Sequence, residues 1–193
     1  MNLKQKATLL AAVLCAASAN AQLVARTGEG DSVKTTLGYN IVLNNLSTLK
    51  RQWVAIHDPN SPVEIDGSSN VTVHYEKDYL YATNTTVKAK KDVTAVELVH
   101  IIVDVFGRRA NTLQNVEVVD LPSGESRGMS GRWRLWSETE AKLAHTSFTY
   151  VRSVRMADGK IYFAPMTQVL DLVRKGAPSL TSADIEPKKV EPK

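Results

Sequence analysis

Cysteine is nearly missing from this chain. The single thiol in 193 residues is Cys15, and it falls inside an N-terminal stretch that reads as a cleavable leader. Met1 to Lys6 is basic, Ala7 to Ala17 is apolar, and Ala19-Asn20-Ala21 supplies an A-x-A site, the three parts of a bacterial secretory signal peptide. The sequence therefore predicts a signal peptide over 1–21, cleaved between Ala21 and Gln22. Cleavage removes the thiol, and with it any disulfide, thiolate zinc site or cysteine nucleophile. A lipid anchor on Cys15 is disfavoured, because bulky Leu14 stands where lipid attachment needs a small residue. Long hydrophobic runs are missing too: the apolar stretch of the leader is about half of the ~20 residues that a membrane-crossing helix requires.

A strong charge of one sign is also lacking. Lys and Arg number 24 against 20 Asp and Glu, for a net charge of +4 that falls to +2 when Lys4 and Lys6 leave with the leader. Such a balance argues against a nucleic-acid partner. Lys88, Lys90, Lys91, Arg108 and Arg109 form only short basic groups at turns, where they read as solvated loop charge. No glycine-rich phosphate loop occurs. The four histidines, His57, His74, His100 and His145, show no metal-ligand spacing, so no metal and no cofactor is predicted. His100 and Asp104 stand four apart on one strand face and form one candidate polar pair.

What is present is a β pattern from about Val33 to Pro165. "NVTVHYE" (70–76) alternates Val71, Val73 and Tyr75 with Thr72, His74 and Glu76, the period-2 signature of a half-buried strand. "LGYNIVL" (37–43), "KRQWVAI" (50–56), "YLYATNTTVKAK" (79–90) and "TLQNVEVVDL" (112–121) add further strands. "VTAVELVHIIVDVFG" (93–107) is apolar on both faces, as a central strand covered on both sides should be. "SFTYVRSVRMADGKIYFA" (147–164) reads as a hairpin turning at Asp158-Gly159. Turn signals recur often enough to favour an antiparallel sandwich over a parallel sheet with crossover helices. Asn45, Asn70 and Asn84 each open an N-x-S/T triplet, read here as strand and turn chemistry.

One segment has helical spacing. In "APMTQVLDLVRKG", Met166, Val169, Leu170 and Val173 share a face, with Pro165 at the entrance and Gly176 at the exit. The expected organisation is a flexible segment over 22–32, one β-sandwich domain over 33–176 closed by a helix at about 165–175, and a disordered charged tail over 177–193.

The order of "VTAVELVHIIVDVFG", "LPSGESRGMSGRW…WSE" and "TYVRSVRMADGKIYFAP", followed by a short closing helix, resembles a group of secreted bacterial proteins with an immunoglobulin-like or fibronectin-III-like sandwich. The resemblance spans roughly residues 65–175. It implies an all-β fold and transfers no chemistry, since folds host unrelated functions. The cysteine pair of true immunoglobulin domains is missing.

Two catalytic patterns need weighing. Gly124-Glu125-Ser126-Arg127-Gly128 matches G-x-S-x-G, but that motif needs a strand-to-helix elbow, and here strands flank it, so a hairpin loop is expected around Ser126. Glu138 and Glu140 are candidate paired carboxylates whose meaning depends on the fold. "GRWRLWSE" (131–138) is the densest stretch of binding chemistry. In an extended chain Trp133 and Leu135 face the core, while Arg132, Arg134 and Trp136 form an outward strip, the predicted binding residues. The reading that results is an exported, periplasmic or secreted, non-enzymatic binding or structural protein of the cell envelope or secretion apparatus. Its protein partner is held by the Arg132, Arg134 and Trp136 strip or by strand addition at an exposed sheet edge. A carbohydrate-binding module or adhesin stacking sugars on Trp53 and Trp136 is the alternative, and a small secreted hydrolase using Ser126 or Glu138 and Glu140 the second.

Overall fold

A computed structural model describes residues 23–29, 34–35, 51–75, 78–135 and 137–187. Two sheets carry the chain. The larger runs in the order β1 (Val24–Glu29), β3 (Gln52–His57), β9 (Ala144–Met156), β6 (Val93–Asp104), β7 (Arg109–Leu121), with β10 (Ile161–Phe163) also pairing β9. The smaller runs β2 (Lys34–Thr35), β4 (Val63–Tyr75), β5 (Asp78–Ala89), β8 (Ser126–Leu135). Three short helices, α1 (Glu138–Leu143), α2 (Met166–Gly176) and α3 (Ser182–Ile185), complete the described residues. The expected strand over 37–43 lies outside them, as do Gln22 and the residues 1–21 read as a leader, Ala21 included.

β6 organises the protein because its sequence is apolar on both sides. Val96, Leu98 and Ile102 point towards the smaller sheet, and Val99, Ile101 and Val103 point away from it. Leu98 and Ile101 are wholly buried, and each such side chain contributes about 1.5–3 kcal/mol relative to an exposed one. The inward face joins Val63, Ile65, Val87, Ala89 and Met129 of the smaller sheet in one core. The outward face is roofed over part of its length by α2 and α3, through Val169, Val173, Ala177, Leu180 and Ile185. α1 plugs the remaining end, where Ala141 packs with Tyr81, Ile102 and Leu113.

Four expectations change. The sheets are mixed rather than purely antiparallel, since β3 runs parallel to β9 and β2 parallel to β4; alternation within one strand says nothing about the direction of a neighbour distant in sequence. The segment 22–32, read as flexible, contains β1, paired with β3 from Val24↔His57 to Glu29↔Gln52. The tail from 177 is structured as far as 187. There Ile185 is 1% exposed, its carbonyl accepts the buried Tyr150 hydroxyl at 2.8 Å, and Arg109 meets Asp184 at 3.1 Å. Three prolines and mixed charge hid two spaced apolar residues, Leu180 and Ile185, that suffice to dock a single turn. Finally, Pro122–Glu125 is not a hairpin. Leu121 pairs with Val93 in the larger sheet and Ser126 with Lys88 in the smaller, so this turn crosses between sheets. It is pinned to the other crossing turn by Gly124 N–H to the Ala89 carbonyl and Ser123 N–H to Asp92, each 2.8 Å. Gly124 takes φ +89°, a conformation that glycine adopts without penalty.

The Asp158-Gly159 signal does mark the β9–β10 hairpin. The loop is one residue longer than a two-residue turn, closing with Met156 N–H on the Lys160 carbonyl at 2.9 Å and Gly159 at φ +84°.

Candidate binding surface

The split expected in GRWRLWSE holds where it can be seen. β8 pairs with β5 through Arg132↔Ala82 and Arg134↔Leu80, and both arginines are exposed on the outer face of the smaller sheet. Trp136 and the side chain of Leu135 lie outside the described residues. Trp133 turns inward between the sheets, its ring 5.4 Å from that of His100 and 6.5 Å from Tyr81. It folds back over its own strand so closely that a Cβ on Gly131 would fall 2.0 Å from the indole. Trp133 is therefore half-buried against the core, and glycine at 131 is what gives the ring its seat.

The catalytic candidates are occupied otherwise. Ser126 is the exposed first residue of β8, with no helix behind it to form an elbow. Glu138 and Glu140 stand two apart on α1, where side chains diverge; Glu138 pairs with Lys142 at 2.5 Å, and Ser137 caps the helix by accepting the Glu140 N–H. The His100–Asp104 pair does not form. The register slips between Val103 and Asp104, and Asp104 turns into the β6–β7 hairpin, accepting the Phe106 and Arg108 amides and the Arg108 side chain at 2.9 Å each. Burial works to raise this carboxyl, but these bonds outweigh it and hold it below the usual range. Arg108 and Arg109 are thus ion-paired rather than simply solvated.

His100 is 0% exposed, with Nδ1 2.9 Å from the Thr149 hydroxyl. Desolvation brings its pKa down to about 4. No group of three or more His, Cys, Asp or Glu able to hold a metal occurs among the described residues. A cleft lined by His57, Asp58, Ser61 and Tyr162 looks richer in chemistry, but its polar atoms hold the fold together. Tyr162 donates to Asp58 at 2.6 Å, and Ser61 accepts the Val63 amide at 3.2 Å. Trp53 is half-buried against the core. No described helix is long and apolar enough to cross a membrane.

A different surface stands out. The helices roof only part of the larger sheet, over Val99, Ile101, Phe148 and Tyr150. Beyond Val99 no described helix covers the outer face. The register sets Val118, Ala95, Arg155 and Ile161 in one row across β7, β6, β9 and β10, and Val116, Glu97, Ser153 and Phe163 in the next. Val118 is 86% exposed and Phe163 70%, and Val116 and Ile161 are also exposed. Four of the described chain's exposed large hydrophobics thus share one flat face, a concentration that marks an interaction site.

The polar groups on this face differ in availability. Glu97 is held on both oxygens, by Arg152 at 2.8 Å, Gln114 at 2.7 Å and Ser153 at 2.5 Å. Arg155, exposed between Ala95 and Ile161, makes no ion pair among the described residues. Sequence reasoning missed this face because Val116 and Val118 alternate as half-buried strand residues do; no local signal tells that the closing helix stops short of them.

No family model matches the chain, and no curated protein matches it. What the fold establishes is its class, a mostly-β protein of two packed sheets with three short helices.

Proposed function

We propose that this is an exported, non-enzymatic binding protein of the bacterial envelope or secretion apparatus, built on an immunoglobulin-like or fibronectin-III-like sandwich and acting from the periplasm or outside the cell. The observation that carries the reading is the exposed face of Val116, Val118, Ile161 and Phe163 around Arg155, which has no ion-pair partner among the described residues. Its occupant is a protein surface that is apolar and bears a carboxylate. The apolar side chains supply area to bury, and the carboxylate meets the one cation that burial would otherwise strand without a partner. The leader reading, with Gln22 as the first mature residue, supports the exported location.

A photo-crosslinking amino acid at Phe163, introduced in cells that secrete the protein, tests this. A discrete protein adduct is expected, weakened by Arg155→Glu and not formed when the same probe replaces Arg132 on the smaller sheet. Adducts from position 132 alone would move the interface to the arginine strip. Adducts from neither position would remove the binding reading of both faces.

A further inference from the structure

We propose that the free edge of β7 pairs antiparallel with β7 of a second copy of this chain, joining the two larger sheets into one across a twofold axis at Val116. β7 is thirteen residues long and, among the described residues, ends the larger sheet with β6 as its one ladder partner. Edge strands are normally blunted by lysine, proline, bulges or shortness. Arg109–Leu121 contains neither lysine nor proline. Although the register with β6 shifts at both ends, between Val93 and Ala95 and between Ile102 and Val103, the stretch from Ala95↔Val118 to Ile102↔Asn111 is regular and leaves Asn111–Val118 as the unblunted edge. At its start Thr112 N–H is taken by the Asn111 side chain at 2.8 Å and the Thr112 hydroxyl by the Asp184 carbonyl of α3. Further along, the side chains of Asn115 and Glu117 reach β8, at the Ser130 carbonyl (3.3 Å) and Arg127 (3.4 Å). From Leu113 onward the strand carries the exposed Val116 and Val118, and its outer backbone edge forms no ladder with a further strand among the described residues.

The sequence of β7 selects the register and the occupant. With Val116 opposite its own copy, Gln114 faces Val118, Asn115 faces Glu117 and Leu113 faces Val119, so no like charges meet. Val116 and Val118 of both chains cluster on one side, the β-branched cross-strand contact that stabilises sheets. Centring the axis on Glu117 would oppose two carboxylates, and centring it on Val118 would set Val116 against Asp120. Centring it on Asn115 would set the buried Leu113 against Glu117 and Val118 against Thr112, whose hydroxyl α3 already holds. A strand that matches itself in one register and clashes in its neighbours fits an isologous contact, in which the same residues appear on both sides. The contact uses the backbone edge of β7 and shares Val116 and Val118 with the docking face, but Ile161 and Phe163 of that face sit on β10, on the far side of β9 from β7, where the two readings can be tested apart.

Light scattering on the mature protein is expected to give a dimer mass. Val116→Lys and Val116→Glu, each at an exposed site that leaves the core untouched, are expected to give monomers, because like charges then meet on the axis; mixing the two variants should restore a dimer containing one of each. Edge amides from Gln114 to Asp120 are expected to exchange with solvent about tenfold or more slowly in the wild type than in Val116→Lys. A monomeric wild type whose edge amides exchange as in Val116→Lys overturns the proposal. So does a dimer that survives Val116→Lys but is lost in Phe163→Asp, which would put the contact on the docking face. Loss of the crosslink at Phe163 with the dimer intact would remove the docking reading alone.

Discussion

His100 makes the fold sensitive to acid, and the size of the effect follows from where it sits. The ring is fully buried between the sheets, with Nδ1 on Thr149 and the indole of Trp133 5.4 Å away. No carboxylate bonds to it, so desolvation alone lowers its pKa from 6.5 to about 4. The folded state resists a proton that the unfolded chain accepts below pH 6.5. The stabilising contribution is therefore complete above that value, declines as pH falls, and is exhausted near pH 4. The full shift is worth about 3.4 kcal/mol at about 1.36 kcal/mol per pH unit, and about 2.5 kcal/mol of it should be lost between pH 7.5 and 4.5. Urea unfolding at both pH values measures it. His100→Gln, which keeps a hydrogen-bonding partner for Thr149 but cannot titrate, corrects for the carboxylates that protonate over the same range. The wild type should lose about 2–3 kcal/mol more than the variant. Equal losses in the two proteins, or an NMR titration of His100 with a midpoint near 6.5, would refute the argument.

Three further outcomes are expected. Gly131→Ala places a Cβ 2.0 Å from the Trp133 ring, so thermal or urea unfolding should show a loss of about 1–3 kcal/mol and altered tryptophan fluorescence as the indole is displaced. Ile185→Ala should cost about 2–4 kcal/mol, because this residue of the supposed tail is 1% exposed in the core beneath α2 and α3; an effect below 0.5 kcal/mol would show that the segment after Gly176 adds nothing to the fold. Ser126→Ala, at an exposed strand start, should change stability by less than about 0.5 kcal/mol and leave any hydrolysis of generic esters unaltered; a loss of turnover in that variant would reinstate the hydrolase reading.

Much of this protein was readable without coordinates. The doubly apolar run of β6, the period-2 strands that became β5 and β9, the hairpin at Asp158-Gly159 and the helix from Met166 each rest on a local signal, either hydrophobic periodicity or turn chemistry. The inward Trp133 and outward Arg132 and Arg134 followed from strand alternation alone. Local signals fail where partners are distant. Nothing near Gln52 or Ala144 announces that β3 and β9 run parallel, and nothing near Leu121 or Ser126 says that the chain changes sheets between them. His100 and Asp104 share a strand face in the sequence, but a register slip and the β6–β7 turn part them. Leu180 and Ile185 look like residues of a solvated tail until α2 brings them over the sheet.

The surface proposed for binding lies at the far end of the same scale. By itself the sequence determined an all-β protein, a central strand covered on both sides and one amphipathic helix, because periodicity records which side of each element meets water. Only the tertiary structure decided where that helix docks and how far it reaches. It roofs Val99 and Ile101 and stops before Val116, Val118, Ile161 and Phe163. A strand's alternation is the same whether a helix of its own chain, a second copy or another protein covers it, so exposure at these positions is a property of the assembled layers and of no single segment.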